Sequence, residues 1–152
     1  MRRREKEIVL VSEIEAVIRR ALVCRLGLSD NGMPYVVPLC FGYRDRTVYV
    51  HSAKDGRKID ILRKNPNVCV AFEADTEIIE AENACDWGMA FKCVIGFGTA
   101  SFLEDEEGKE NALEAIMAHY SNKPFRFPEK AIRSTAVIRI DISSMTGKQS
   151  GF

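Results

Sequence analysis

The sequence predicts an α+β domain, a six-stranded antiparallel barrel with peripheral helices, from three observations. About six runs rich in Val, Ile, Tyr and Phe are bounded by turn signals. Helical stretches are inserted among them, few in the strand–helix–strand alternation that builds parallel sheets. The length of 152 residues, 46% hydrophobic and 29% charged, suits one domain spanning residues 1–152. A chain of that size buries about 70% of its unfolded surface, so it needs neither disulfides nor a structural metal.

The elements follow in order. Ser12-Glu13-Ile14-Glu15 reads as a capping box, and Ile14, Val17, Ile18 and Ala21 recur at helical spacing behind it. Leu22 to Ser29 is strand, Asp30-Asn31-Gly32 a turn, Pro34 to Tyr43 strand, Arg44-Asp45-Arg46 a second turn, and Thr47 to His51 strand. That succession predicts a meander of hairpins. Asp55-Gly56 opens a helix carrying Ile59 and Leu62, stopped by Asn65-Pro66, and Val68 to Phe72 resumes strand. The charged run Glu73 to Glu82 reads as a solvated loop. Val94 to Leu103 is strand, Asp105 caps a helix with Ala112, Leu113, Ile116, Met117 and Tyr120 on one face, and Ala136 to Ile142 alternates as a half-buried strand.

Charge and thiols exclude several classes. The 22 Lys+Arg cancel the 22 Asp+Glu, whereas a nucleic-acid binder needs surplus cations, so nucleic acid is not expected as a partner. The longest stretch without a charged residue runs only from Asn31 to Tyr43, interrupted by Pro34 and Pro38, well short of the about 20 residues of a membrane-spanning helix. Ile8 to Val11 is too short for a signal-peptide core, which predicts a cytoplasmic protein. Cys24, Cys40, Cys69, Cys85 and Cys93 show no C-x-x-C and no metal spacing, so reduced core thiols are expected and no metal site.

The chemistry concentrates where the middle helix begins, His51-Ser52-Ala53-Lys54-Asp55-Gly56-Arg57-Lys58. A helix N-terminus carries partial positive charge, yet Arg57 and Lys58 occupy its first turn. Free N–H groups, the Ser52 hydroxyl and two cations converge naturally on a phosphate, though solvated side chains would also explain the pattern. His51, at a strand end, is the candidate proton donor and so the candidate catalytic residue, with a hydrogen-bonded structural histidine as the plainer alternative. Trp87, the single tryptophan, sits in Cys85-Asp86-Trp87-Gly88-Met89 and could stack on a planar ligand or cap the core. No catalytic carboxylate pair, Ser-His-Asp pattern or phosphate-loop motif is present, so an enzyme built on this chain would take its chemistry from a cofactor.

Five segments together carry a resemblance: Pro34 to Tyr43, Tyr49 to Ala53 with Gly56-Arg57-Lys58-Ile59, Asn65 to Cys69, Cys93 to Gly98, and Thr146-Gly147-Lys148. Their order and spacing resemble the nitroimidazole-resistance branch of the pyridoxamine 5'-phosphate oxidase-like flavin proteins, from about Ser12 to Lys148. The resemblance implies a split β-barrel homodimer with FMN, or alternatively FAD, in clefts between subunits. Carried over by position, Ser52, Arg57 and Lys58 would hold the phosphate. Val37, Pro38, Leu39 and Cys40 would run along the flavin ring with their backbone facing it, His51 and Ala53 would lie beside it, and Trp87 would close the cleft, from the same subunit or from across the interface. The family's C-terminal substrate segment has no counterpart in Thr146 to Phe152, so vitamin B6 oxidation is not expected. The implied activity is reduction of nitro-aromatic or similar electron-poor small molecules with electrons from NADH or NADPH. The rival, of a different class, is a flavin carrier or sensor without turnover. The apolar strands Pro34 to Phe41 and Val94 to Leu103 independently expect a partner subunit to cover them.

Overall fold

Alternation of apolar and polar side chains builds the central strand, Thr135–Ser150, whose Ala136, Ile138, Ile140 and Ile142 are buried while Arg139 and Asp141 face solvent. The computed structural model describes residues 3–152. In chain order the elements are β1 (Glu7–Ile8), α1 (Val11–Arg20), β2 (Cys24–Asp30), β3 (Met33–Leu39), β4 (Gly42–Arg44) and β5 (Thr47–Ala53). Then follow α2 (Arg57–Lys64), β6 (Asn67–Ile79), β7 (Gly88–Leu103), α3 (Glu106–Tyr120), α4 (Glu129–Ser134) and β8 (Thr135–Ser150). All strand pairs are antiparallel, in the order β3-β2-β6-β7-β8-β5-β4, with β1 added on β8.

That order makes the sheet a split barrel. β3 and β4 are its two ends, yet only Cys40 and Phe41 separate them in the chain. Three Cα–Cα steps of about 3.8 Å limit the gap between the ends to roughly 11 Å, so the sheet must curl until its edges nearly meet. The core fills the inside, with Ile18, Leu26, Phe41, Val48, Val50, Val70, Phe72, Val94, Ile138 and Ile140 almost fully buried.

Four expectations need correction. The sheet has eight strands rather than six: β1 was not anticipated, and the run Pro34 to Tyr43 breaks at Cys40-Phe41 into β3 and β4 on opposite edges. The meander is therefore two hairpins, β2–β3 and β4–β5, separated by the whole sheet. Glu73 to Ile79 is strand rather than loop, because β6 continues to Ile79 through a bulge between Ala74 and Glu77, and only Glu80 to Glu82 of the charged run lie outside it. Asp75 there has φ 55°, and its carboxylate pairs with Arg20 at 2.9 Å and Lys92 at 3.3 Å, contacts that hold it below the usual carboxylate range. Lastly, α1 starts two residues earlier than the capping box implied, after Leu10 and without a side-chain cap, although Ile14, Val17 and Ile18 are buried as expected.

A cluster from α3 pins the split. The Tyr120 hydroxyl accepts from the Phe41 N–H at 3.0 Å and donates to the Leu22 carbonyl at 2.9 Å, and burial pushes its pKa up to about 12. His119 Nε2–H donates to the Ala21 carbonyl at 2.7 Å, while its ring lies 4.3 Å from that of Phe41. Tyr120→Phe removes one partner from two backbone groups at the barrel's seam and is expected to cost about 1–3 kcal/mol. Urea unfolding measures this, and an unchanged midpoint would mean that water replaces the hydroxyl without loss.

Candidate functional site

The end of β5 and the start of α2 are joined by the bend Lys54-Asp55-Gly56, where Gly56 has φ 126° and ψ 163°. A side chain is disfavoured there by backbone strain alone, since the space around the missing Cβ is open. Gly56 is the N-cap, no side chain caps the helix, and its carbonyl accepts from the Ile59 and Asp60 N–H groups at 2.9 and 3.1 Å. The first-turn N–H groups thus face an open approach carrying the positive end of the helix dipole.

Two cations crowd that approach. Arg57 is exposed, its guanidinium lies 4.6 Å from the ring centroid of Tyr35 on β3, and among the described residues no carboxylate pairs with it. Stacking on Tyr35 fixes the fork's position while leaving its N–H bonds free. Lys58 is half-buried, and desolvation lowers its pKa from the ordinary lysine value. An anion bound here would offset both that desolvation and the repulsion between the two cations.

The other expected residues divide between faces. Strand alternation puts half-buried Ser52 on the side of buried Val48 and Val50, near α2, and sends exposed His51 and Ala53 to the outer surface, beside Val137 and Thr135 of β8. On β3, Val37 and Leu39 turn inward against the core, whereas Pro38 and the following Cys40 are exposed. β3 is an end strand, and a proline has no N–H for the ladder, so Pro34 and Pro38 belong at positions whose N faces away from β2. The carbonyls of Pro34, Val36 and Pro38 then point outward with a single N–H, that of Val36. Such an edge offers a flat polar ring hydrogen-bond partners and gives another strand little to pair with.

Trp87 stands apart from all of these. It is 51% exposed, with its indole N–H donating to the Ala81 carbonyl at 2.7 Å. His51 pairs with Val137, and Phe91, four residues past Trp87, pairs with Ser150 at the other end of β8. Trp87 and His51 therefore lie toward opposite ends of β8.

Sequence reasoning missed Tyr35, and the only available signal was an aromatic residue flanked by prolines on an edge. It also missed the continuity of the outer face. Val36, Gly27, Cys69 and Phe97 form one cross-strand row, and Pro38, Arg25, Ala71 and Ile95 the next. Val36 and Phe97 are 59% and 55% exposed, an apolar band spanning four strands.

The sequence pattern of the pyridoxamine 5'-phosphate oxidase family matches residues 11–149, nearly the whole chain. The chain belongs to this family. Among solved structures, this pyridoxamine 5'-phosphate oxidase family member resembles a Bacteroides thetaiotaomicron protein described as a candidate for 5-nitroimidazole antibiotic resistance. The two are 36% identical with a TM-score of 0.86, covering 94% of this chain and 86% of the other. A FAD-binding protein from Mesorhizobium loti is 26% identical at a TM-score of 0.69, covering 94% and 96%. The flavocytochrome Anf3 from Azotobacter vinelandii, 21% identical at a TM-score of 0.86 over 100% of this chain and 72% of its own, shares the fold of the family member. No curated protein matches the chain. Among the described residues no helix is long and apolar enough to cross a membrane, and no group of His, Cys, Asp and Glu could hold a metal ion.

Proposed function

We propose that the chain is an FMN-dependent oxidoreductase reducing nitro-aromatic or similarly electron-poor small molecules, with electrons from NADH or NADPH. The observation that carries this reading is the uncapped start of α2, where Arg57 has no carboxylate partner and Lys58 is partly desolvated, in a family member 36% identical to a candidate nitroimidazole-resistance protein. Two cations, the N–H groups of a helix turn and the nearby Ser52 suit one terminal phosphate, which favours FMN over FAD. The outward carbonyls and the Val36 N–H of β3 would orient the ring along Val37 to Cys40, with Ala53 alongside. His51, exposed and without a hydrogen-bond partner among the described residues, is free to hand a proton to a bound substrate. Bound FMN would supply the electron or hydride transfer. All five cysteines are free thiols, which suits a cytoplasmic setting.

The same reading includes a homodimer. The band of Val36, Cys69, Phe97 and Ile95 needs cover, and a second copy packed on it would bring its own Trp87 toward the His51 end of this chain. Phe97→Glu puts a charge on that face and is expected to give a monomer by light scattering that retains little flavin. A Phe97→Glu dimer with full flavin content would remove the interface from this face.

Absorbance spectra of the purified protein test the activity. A flavin spectrum is expected, bleached anaerobically by NADH or NADPH and restored by a nitroimidazole. A bound flavin that neither nicotinamide reduces would instead establish a carrier. In the working enzyme His51→Ala is expected to lower turnover about 100-fold or more at unchanged flavin content, the low end of what a general acid contributes. Loss of flavin in this variant would make His51 a residue that orients the cofactor.

A further inference from the structure

A second cationic site lies beyond the β5–α2 bend. Lys54, Arg63, Phe102, Glu104, Lys109 and Thr135 line a cavity of about 210 Å³ between the end of β5, the tail of α2, the end of β7 and the start of α3. Three cations meet one carboxylate there. Lys109 is only 7% exposed, and its Nζ donates to a single neutral acceptor, the Thr135 carbonyl, at 3.3 Å. Burying an ammonium is costly unless it is paired, and among the described residues no carboxylate lies within ion-pair distance of Lys54, Arg63 or Lys109. Nearby Glu106 is occupied by Arg133 at 2.6 Å. Arg63 is held over the Phe102 ring, 5.9 Å from its centroid, which presents a guanidinium fork at the cavity wall.

We propose that this cavity binds a phosphate-class dianion, at a site separate from the Arg57–Lys58 helix start. A dianion would neutralise the two uncompensated charges and give the buried Lys109 ammonium a charged acceptor. The volume falls below the range of about 300–1,000 Å³ usual for whole small-molecule ligands, so the site takes a phosphate or pyrophosphate group and leaves any attached organic part outside. The group could be free phosphate or pyrophosphate, or the phosphate of a dinucleotide. The proposal does not depend on flavin binding at α2.

Calorimetric titration of the full-length protein with inorganic pyrophosphate tests it. The wild type is expected to bind saturably and more weakly as salt rises, with affinity at least tenfold lower in Arg63→Gln and in Lys109→Met. In the double variant Arg57→Gln/Lys58→Gln, which disables the helix-start cluster, one pyrophosphate site is expected to remain, and adding Arg63→Gln to that background is expected to lower its affinity at least tenfold. Arg63 is exposed, so Arg63→Gln remains informative should Lys109→Met fail to fold. FMN and FAD titrations separate the sources. If Arg63→Gln weakens FAD but not FMN, the site holds a dinucleotide's second phosphate; if it weakens pyrophosphate alone, the site serves a free anion. Absence of pyrophosphate binding, or equal binding by wild type and Arg63→Gln, overturns the proposal. Failure to bind any flavin would overturn the proposed function and leave the pyrophosphate result standing.

Discussion

Gly42→Ala is expected to unfold the protein or cost it at least about 3 kcal/mol, the upper end of what overpacking usually does. A Cβ at Gly42 would sit 2.5 Å from the Ala115 carbonyl carbon and oxygen and from the Ile116 nitrogen, all backbone atoms of α3. A flexible side chain could swing away, but a helix backbone cannot shift without dragging its neighbours. That same helix carries His119 and Tyr120, which fasten the seam at Phe41, so displacing it loosens the closure as well. With a total stability of about 5–15 kcal/mol for an ordinary domain, such a loss is a large share of the whole. Gly32→Ala is the contrasting control. It has φ 88° and nothing within contact distance, so only backbone strain of about 1 kcal/mol is expected. Urea unfolding of both variants decides the matter, and equal midpoints would show that α3 does not depend on its close approach to β4.

Replacing both Arg57 and Lys58 by Ala is expected to weaken FMN by about 3–6 kcal/mol, from roughly 1.5–3 kcal/mol for each hydrogen bond to a charged group. The neutral backbone N–H groups of α2 remain in place, so residual binding should be weak and less sensitive to salt. Riboflavin, which lacks the phosphate, should bind wild type and double variant alike. Fluorescence titration of apoprotein with both flavins tests this. Equal affinity of the unmodified protein for FMN and riboflavin would exclude a phosphate contact at this helix start.

How much of this was legible in the sequence depends on whether the signal was local. Ile138, Ile140 and Ile142 alternate with Arg139 and Asp141, so β8 could be placed although Val137 breaks the pattern by being buried as well, and Arg57-Lys58 at a helix start was visible as a conflict with the dipole. The seam at Cys40-Phe41 was not visible, because apolar residues run through it unbroken while the chain passes from one sheet edge to the other. The outer half of the β6–β7 hairpin was hidden for the opposite reason. Its charges resemble a loop, while the order comes from ladder pairing with β7 and from ion pairs of Glu73 with Arg25 and of Asp75 with Arg20 and Lys92, partners distant in sequence. Lys109 lies among glutamates on a helix with little segregation of polar and apolar faces, so its burial follows from the packing of α3 against β8. Tyr35 and Arg57 meet only because α2 caps the barrel beside an edge strand. His51 and Ser52, adjacent in the chain, point to opposite faces of β5, as the twofold period of a strand requires.

The central position of β8 also governs how the barrel can be assembled during synthesis. β8 is made after all the other strands of this sheet, yet it lies between β7 and β5, and its pairs with β5 join residues as distant as Thr47 and Asp141. Until it emerges from the ribosome, β5 and β7 each present an open, largely apolar ladder with nothing to pair with. At about 5–20 residues per second, the interval from β5 to β8 lasts several seconds, long compared with hairpin formation in microseconds. From the completion of β7 at Leu103 until β8 is made, the nascent chain therefore holds two unjoined hairpin systems, β4–β5 and β3-β2-β6-β7. Chaperone demand should peak in that interval, and a stalled chain lacking β8 should aggregate rather than persist as a smaller barrel.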